Sequence, residues 1–340
     1  MSANRVETRP AFLIAIDTEG DNSWARPREI TTRNAAFLPR FQSLCEAHSL
    51  RPTYLTNYEM ASSPVFQEFA RDVLRRGTAE IGMHLHAWNA PPIQPLTRDD
   101  YRYQPYLIEY PERVIRDKVD FQTKLLEDTF GIKVTSHRAG RWSMNEVYAR
   151  ILIDQGYRVD CSVTPHVSWR PVPGDPAGRG GTDFSKFPEE AYRVDPRDLS
   201  RPGDSPLLEV PMTVMPALGP TRRIGELMTQ GTLPARVWNR LFPPRQWLQP
   251  NGRNLSQMLE ILKRALRERR RYVEFTLHSS EFMAGGSPTF RTNESIENLY
   301  RDLEQLFSQA ATSFVGATLS EFEQSFSPGL SRKKVDYERA

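Results

Sequence analysis

Apolar runs rich in β-branched and aromatic residues alternate with stretches of helical period along most of the chain. Residues 11–16, 53–56, 80–86, 134–138, 158–162, 207–210, 272–278 and 314–317 read as strands. Between them, Ser63-Pro64 opens a helix that Gly77 closes, Pro111 opens one that stops at Gly131, and residues 144–155 form one that stops at Gly156. Residues 255–270 and 296–309 predict two more. Such alternation implies parallel strands joined by helical crossovers. About seven or eight such units over this length favour a distorted (β/α) barrel, an α/β fold, over an open doubly wound sheet.

From residue 163 to about 254 the pattern weakens. Pro and Gly are dense there, aromatic residues recur, and 207–210 is the one clear strand. A structureless stretch of this length inside a compact domain is improbable, so it reads as long loops and an insertion over one rim. The expected organisation is a single barrel domain over residues 1–330 with a loop-rich insertion at about 163–254, followed by a basic tail at 331–340.

Composition changes this picture little. The 340 residues are 39% apolar and 26% charged with a net charge of +3, an ordinary globular balance that argues against nucleic acid as a partner. Arg332-Lys333-Lys334 reads as a solvated tail. The two cysteines, Cys45 and Cys161, make no disulfide framework and fit a reducing compartment. With a polar N-terminus and no apolar stretch long enough to span a bilayer, the expectation is a cytoplasmic protein without membrane insertion.

Chemistry gathers where predicted strands end, the rim at which parallel barrels place their functional groups. The first strand runs into Asp17-Thr18-Glu19-Gly20-Asp21, three carboxylates within one turn. On the third strand, His84 and His86 are two apart and so point to one side. With one carboxylate they would form a two-histidine, one-carboxylate set with open positions, an arrangement used by hydrolytic zinc and by non-haem iron. Arg138 ends the fourth strand and can hold a carboxylate ionised through bidentate hydrogen bonds. Asp160, at the end of the fifth, either orients a histidine or caps a turn. His278 closes the strand at 272–278, where a polar cluster fits poorly with core packing. Trp88 and Trp142 stand near the rim, as apolar walls of a binding cleft or as packing.

Asp17-Thr18-Glu19, Glu80-Ile81-Gly82-Met83-His84, His137-Arg138-Ala139-Gly140 and Thr276-Leu277-His278 resemble, in order, the motifs of NodB-like polysaccharide deacetylases, carbohydrate esterase family four. The surroundings of the histidine pair, Arg138 and His278 look most similar to the WalW-like branch, linked with lipopolysaccharide biosynthesis. The resemblance spans roughly residues 11–317 and leaves 163–254 unmatched. It implies a divalent metal, zinc above all, and removal of acetyl groups from N- or O-acetylated sugars. Carried onto this chain, it makes Asp17 the base, Glu19 the acidic ligand, His84 and His86 the imidazole ligands, Arg138 the partner of Asp17, and His278 the general acid, tuned by Asp160.

The sequence departs from the family pattern at four points, two of them being Gly140 in place of the third motif's usual proline and the absence of the fourth motif's second Asp-Trp. Thr18 stands where a second Asp is usual, and Trp88 stands where the second histidine is usual, four places after the first. Either His86 substitutes as ligand or the site has lost one. Two other readings therefore stand beside the deacetylase: a hydrolase of another linear or cyclic amide on the same scaffold, and a metal-free sugar-binding or assembly protein.

Overall fold

The computed structural model of the chain describes residues 9–217 and 244–326. Parallel strands β1 (Ala11–Thr18), β2 (Pro52–Thr56), β3 (Glu80–Leu85), β4 (Ser136–Ala139) and β5 (Val159–Asp160) lie side by side in chain order. β6 (Tyr192–Asp195) and β7 (Asp198–Pro202) form an antiparallel hairpin, and β8 (Leu208–Glu209) sits between β6 and β5, parallel to β5. β9 (Val214–Pro216) and β10 (Arg245–Trp247) make a separate antiparallel pair. β11 (Tyr272–His278) returns to the free edge of β1, in register from Ala11↔Tyr272 to Asp17↔His278. β12 (Val315–Ala317) shares the other edge of β1 with β2.

The outcome is a mixed α/β fold whose parallel-rich sheet curls into a half-barrel. No ladder joins β8 to β11. Irregular chain fills that gap: Tyr272 Oη donates to the Pro211 carbonyl at 2.7 Å, the Glu274 amide to Thr213 Oγ1 at 2.8 Å, and the Thr276 amide to the Leu248 carbonyl at 3.2 Å.

Strand alternation splits the core in two. Phe12, Ile14 and Ile16 pack outward under the helices, while Leu13 and Ala15 join Leu55, Val159, Cys161, Leu208, Val210 and Tyr272 in a smaller cluster inside the curl. The helical layer comprises α1 (Leu38–Ala47), α2 (Tyr58–Ala61), α3 (Pro64–Arg76), α4 (Asp100–Tyr103), α5 (Glu112–Phe130), α6 (Glu146–Asp154), α7 (Leu255–Arg267) and α8 (Asn293–Ser313). α3 and α5 end where expected, on Gly77 and Gly131, both left-handed at φ 65°. α9 (Leu319–Ser325) sends Leu319 and Phe322 into the inner cluster, and Leu319 and Ser320 donate to Thr53 and Glu80 at the starts of β2 and β3. It therefore plugs the end of the barrel opposite the rim.

Two sequence expectations need adjustment. α1 was absent from them because its buried face, Leu38, Phe41, Gln42 and Cys45, is interrupted by a glutamine. The stretch 163–254 was expected to hold one strand, but its described part holds β6 to β10. Those strands have two to five residues, too short for a period to show, and β6, β7 and β10 also carry charged residues. The expected basic tail at 331–340 lies outside the described residues. Among the described residues, no helix is long and apolar enough to cross a membrane.

Candidate active site

Alternation decides which side chains reach the rim. Asp17 continues the inward face of Leu13 and Ala15, His84 and His86 continue that of Gly82, and Glu274, Thr276 and His278 share the inward face of β11. The chain stays regular enough past Leu85 for the two imidazoles to converge. Their Nε2 atoms are 3.0 Å apart, and Glu19 Oε2 lies 3.2 Å from that of His86 and 3.7 Å from that of His84. Among the described residues these three buried side chains are the group whose ligand atoms could hold a metal, all within 4.8 Å of one another.

The donor chemistry fits a small divalent cation. His84 Nδ1 lies 3.0 Å from the Arg138 carbonyl, a bond that only an N–H at that position can make, and its Nε2 faces Glu19 and His86. Burial drives His86 down to about 3, so it is neutral at physiological pH. Two imidazoles and one carboxylate, with side chains 6% exposed or less, form a closely spaced donor set of the kind that a divalent cation takes. Asp21, the other acid of the first motif, is turned away. It accepts from Thr31, from Arg33 and from the amide and side chain of Asn34, and so closes the loop from residue 21 to 34.

Asp17 stands beside this set. Burial works against its ionisation, but the Arg138 guanidinium, 2.6 Å away, together with the His84 and His278 imidazoles, holds it below the usual carboxylate range. Arg138 is fully buried. It also donates to Thr276 Oγ1 at 2.9 Å, to the Cys161 carbonyl at 3.1 Å and to Glu274, and its guanidinium lies 4.7 Å from the centre of the Trp142 ring.

His278 faces the metal-ligand group from the opposite wall, its Nε2 3.7 Å from Asp17 Oδ2. Its Nδ1 lies 3.2 Å from Glu281 Oε2, which also accepts from the His278 amide. Burial alone would lower this imidazole, but the Glu281 hydrogen bond and the Glu19 and Asp17 carboxylates push it up to about 9. The expected partner, Asp160, is elsewhere. Val159 and Cys161 take the inward face of β5, so Asp160 points into the helical layer and bonds His137 Nδ1 at 2.6 Å, with Tyr148 on the other ring nitrogen. The function expected of Asp160 beside His278 falls on Glu281.

Trp88 and Trp142 both line the cavity, of about 330 Å³, above these groups. Trp88 stacks on His86 at 4.4 Å and 18°, so it steadies that ring as well as walling the cleft. Trp24, 42% exposed, stands edge-on to His278 at 4.7 Å. A neighbouring cleft of about 530 Å³ shares Trp24, Trp142, Trp169 and His278 with the first. Glu274, Glu281 and Trp24 were missed in the sequence. Glu281 had a readable signal, a carboxylate three residues after a strand-end histidine, and Glu274 had another, an acid inside an otherwise apolar strand.

No protein-family model and no curated protein matches this sequence. Solved structures similar to this chain include a Mycobacterium smegmatis protein described as a polysaccharide deacetylase, at 15% identity and a TM-score of 0.50, covering 96% of this chain and 99% of that one. The 4-alpha-glucanotransferase of Thermococcus litoralis matches at 13% identity and 0.53, covering 94% of this chain and 41% of that one. Family-four carbohydrate esterases also match, among them a pseudoenzyme from Bacillus anthracis at 13% identity and 0.40, covering 93% and 66%. At these identities the likeness establishes a fold shared with such deacetylases.

Proposed function

We propose that this chain is a metal-dependent hydrolase of the NodB-like type that removes acetyl groups from N- or O-acetylated sugars, in surface polysaccharide or lipopolysaccharide metabolism. The motifs around His84, Arg138 and His278 support the WalW-like branch. One observation carries the reading: Glu19, His84 and His86 converge within 4.8 Å while Asp17 and His278 flank them from two sides of the same cleft. A divalent ion bound there, zinc in this reading, would polarise the acyl carbonyl and lower the pKa of water.

The protein's own groups supply the proton transfers. Asp17, kept ionised by Arg138, takes a proton from the attacking water. His278, held protonated at neutral pH, delivers one to the leaving nitrogen or oxygen. Trp88 and Trp142 wall the cleft with apolar surface suited to an acetyl methyl and a sugar face. Asp17 and His278 stand in register on paired strands, so the two proton-transfer groups are fixed relative to each other by the sheet.

The test is acetate release from N-acetylated and O-acetylated oligosaccharides by zinc-loaded protein, with elemental analysis of the same sample. Acetate release that stops on chelation supports the proposal. Bound zinc without acetate release would point to another amide as substrate, and protein that takes up no metal would sink the hydrolase reading.

A further inference from the structure

Glu274 is a carboxylate in the middle of the inward face of β11, with no exposed surface. Its inner-facing neighbours include Leu13, Cys161 and Tyr272, which need no charge. A buried carboxylate with one oxygen lacking a partner is costly, and Glu274 Oε2 is such an atom. Its other oxygen accepts from Arg138.

The guanidinium of Arg138 is divided with little slack. Nε goes to the Cys161 carbonyl, one terminal nitrogen to Asp17 and Thr276, and the other terminal nitrogen to Glu274. Asp17 is thus gripped by one end of a planar fork whose far end is tied to Glu274. Arg138 reaches these partners from β4, three strands from β1 in the sheet order, on a long side chain with many rotatable bonds. Removing the tie frees the fork to turn, and the charge facing Asp17 turns with it.

We propose that Glu274 is a positioning residue that aims the Arg138 guanidinium at Asp17, through the hydrogen bond that its carboxyl oxygen accepts. This rests on the reading of Asp17 as the base. Burial pushes Glu274 up to about 8 against the pull of Arg138, which fits a group acting as an acceptor more than as a charge. A purely structural counter-ion would instead change stability and leave the catalytic constants alone.

The test is a double-mutant cycle between Glu274→Leu and Arg138→Met, with metal content and kcat and KM on an acetylated oligosaccharide. A misdirected catalytic group costs about a hundredfold, so Glu274→Leu is expected to lower kcat by about that factor, with KM and metal content unchanged. In the Arg138→Met background the same change is expected to be silent within about threefold, because its effect runs through the missing guanidinium. Glu274→Gln keeps an acceptor oxygen and is expected to restore kcat to within about threefold of wild type. Effects that multiply across the cycle, or a Gln variant as slow as the Leu variant, would overturn the proposal. If the Leu variant does not fold, Glu274→Asp, which withdraws the acceptor by one methylene, takes its place with the same criteria.

A second readout does not depend on activity. The resonance of the Arg138 terminal N–H group that donates to Glu274, assigned by its absence from Arg138→Met, is expected to be protected from exchange in wild type and exposed in Glu274→Leu. Its persistence in that variant would overturn the tether, whatever substrate the enzyme takes. Loss of protection in a protein that deacetylates no sugar would leave the tether standing and remove the proposed activity.

Discussion

His84 Nδ1 lies 3.0 Å from the main-chain oxygen of Arg138, while the Arg138 side chain meets Asp17 at 2.6 Å. One residue of β4 thus orients a metal-ligand candidate through its backbone and the proposed base through its guanidinium. The two functions separate on mutation. Arg138→Met keeps the carbonyl, so metal content measured by elemental analysis should stay at the wild-type level while kcat falls by about a hundredfold or more. Metal loss in that variant would show that the side chain, and not the backbone, holds His84.

The histidine pair is open to direct measurement. His84→Ala and His86→Ala should each weaken zinc binding at least tenfold, about 1.4 kcal/mol, in equilibrium dialysis. Trp88→Phe should retain the metal, because a phenyl ring preserves the stack on His86. Wild-type affinity in His86→Ala would remove it from the ligand set.

The acids of the first motif should divide three ways. Asp17→Asn should abolish turnover with metal retained, and Glu19→Ala should release the metal. Asp21→Ala should keep the metal but lower unfolding stability by about 1–3 kcal/mol in denaturant titration, because it strands the donors of Thr31, Arg33 and Asn34. Metal loss in Asp21→Ala would exchange the roles of Glu19 and Asp21.

In the proposed mechanism His278 sets the alkaline limb of the rate profile. Its folded pKa, near 9, lies above the ordinary value of 6.5, so the protonated acid persists through neutrality and activity should fall as pH rises through about 9. The matching stability is fully present below 6.5 and fades between 6.5 and 9, because the folded state holds the proton over that interval and the unfolded chain does not. Glu281→Gln removes the strongest influence raising the group, so the alkaline limb should move to lower pH. An unmoved limb in a pH series of kcat/KM would leave Glu281 without the tuning role. His278→Ala should lower turnover by about two to four orders of magnitude with metal content unchanged.

The parts legible in the sequence were those governed by local periodicity. All eight expected strands occur, because each has an apolar period of two or a buried run bounded by a turn signal. The pairing of His84 with His86 follows from the same period. Asp160 shows where that reasoning ends. Its place at a strand end suggested the rim, but with only two residues in β5 the facing was not readable, and Val159 and Cys161 claim the interior.

The alternation of residues along the chain by itself determined an α/β fold of parallel strands, read as a barrel, with acids and histidines at one rim, since strand period and helix caps act within a few residues. Tertiary structure alone decided which of those groups meet. Glu274 behind Arg138 and Asp160 under His137 depend on strand register and on which face each short strand turns inward. Those choices are made by burial across the whole sheet, where the interior admits only the charges that find a partner.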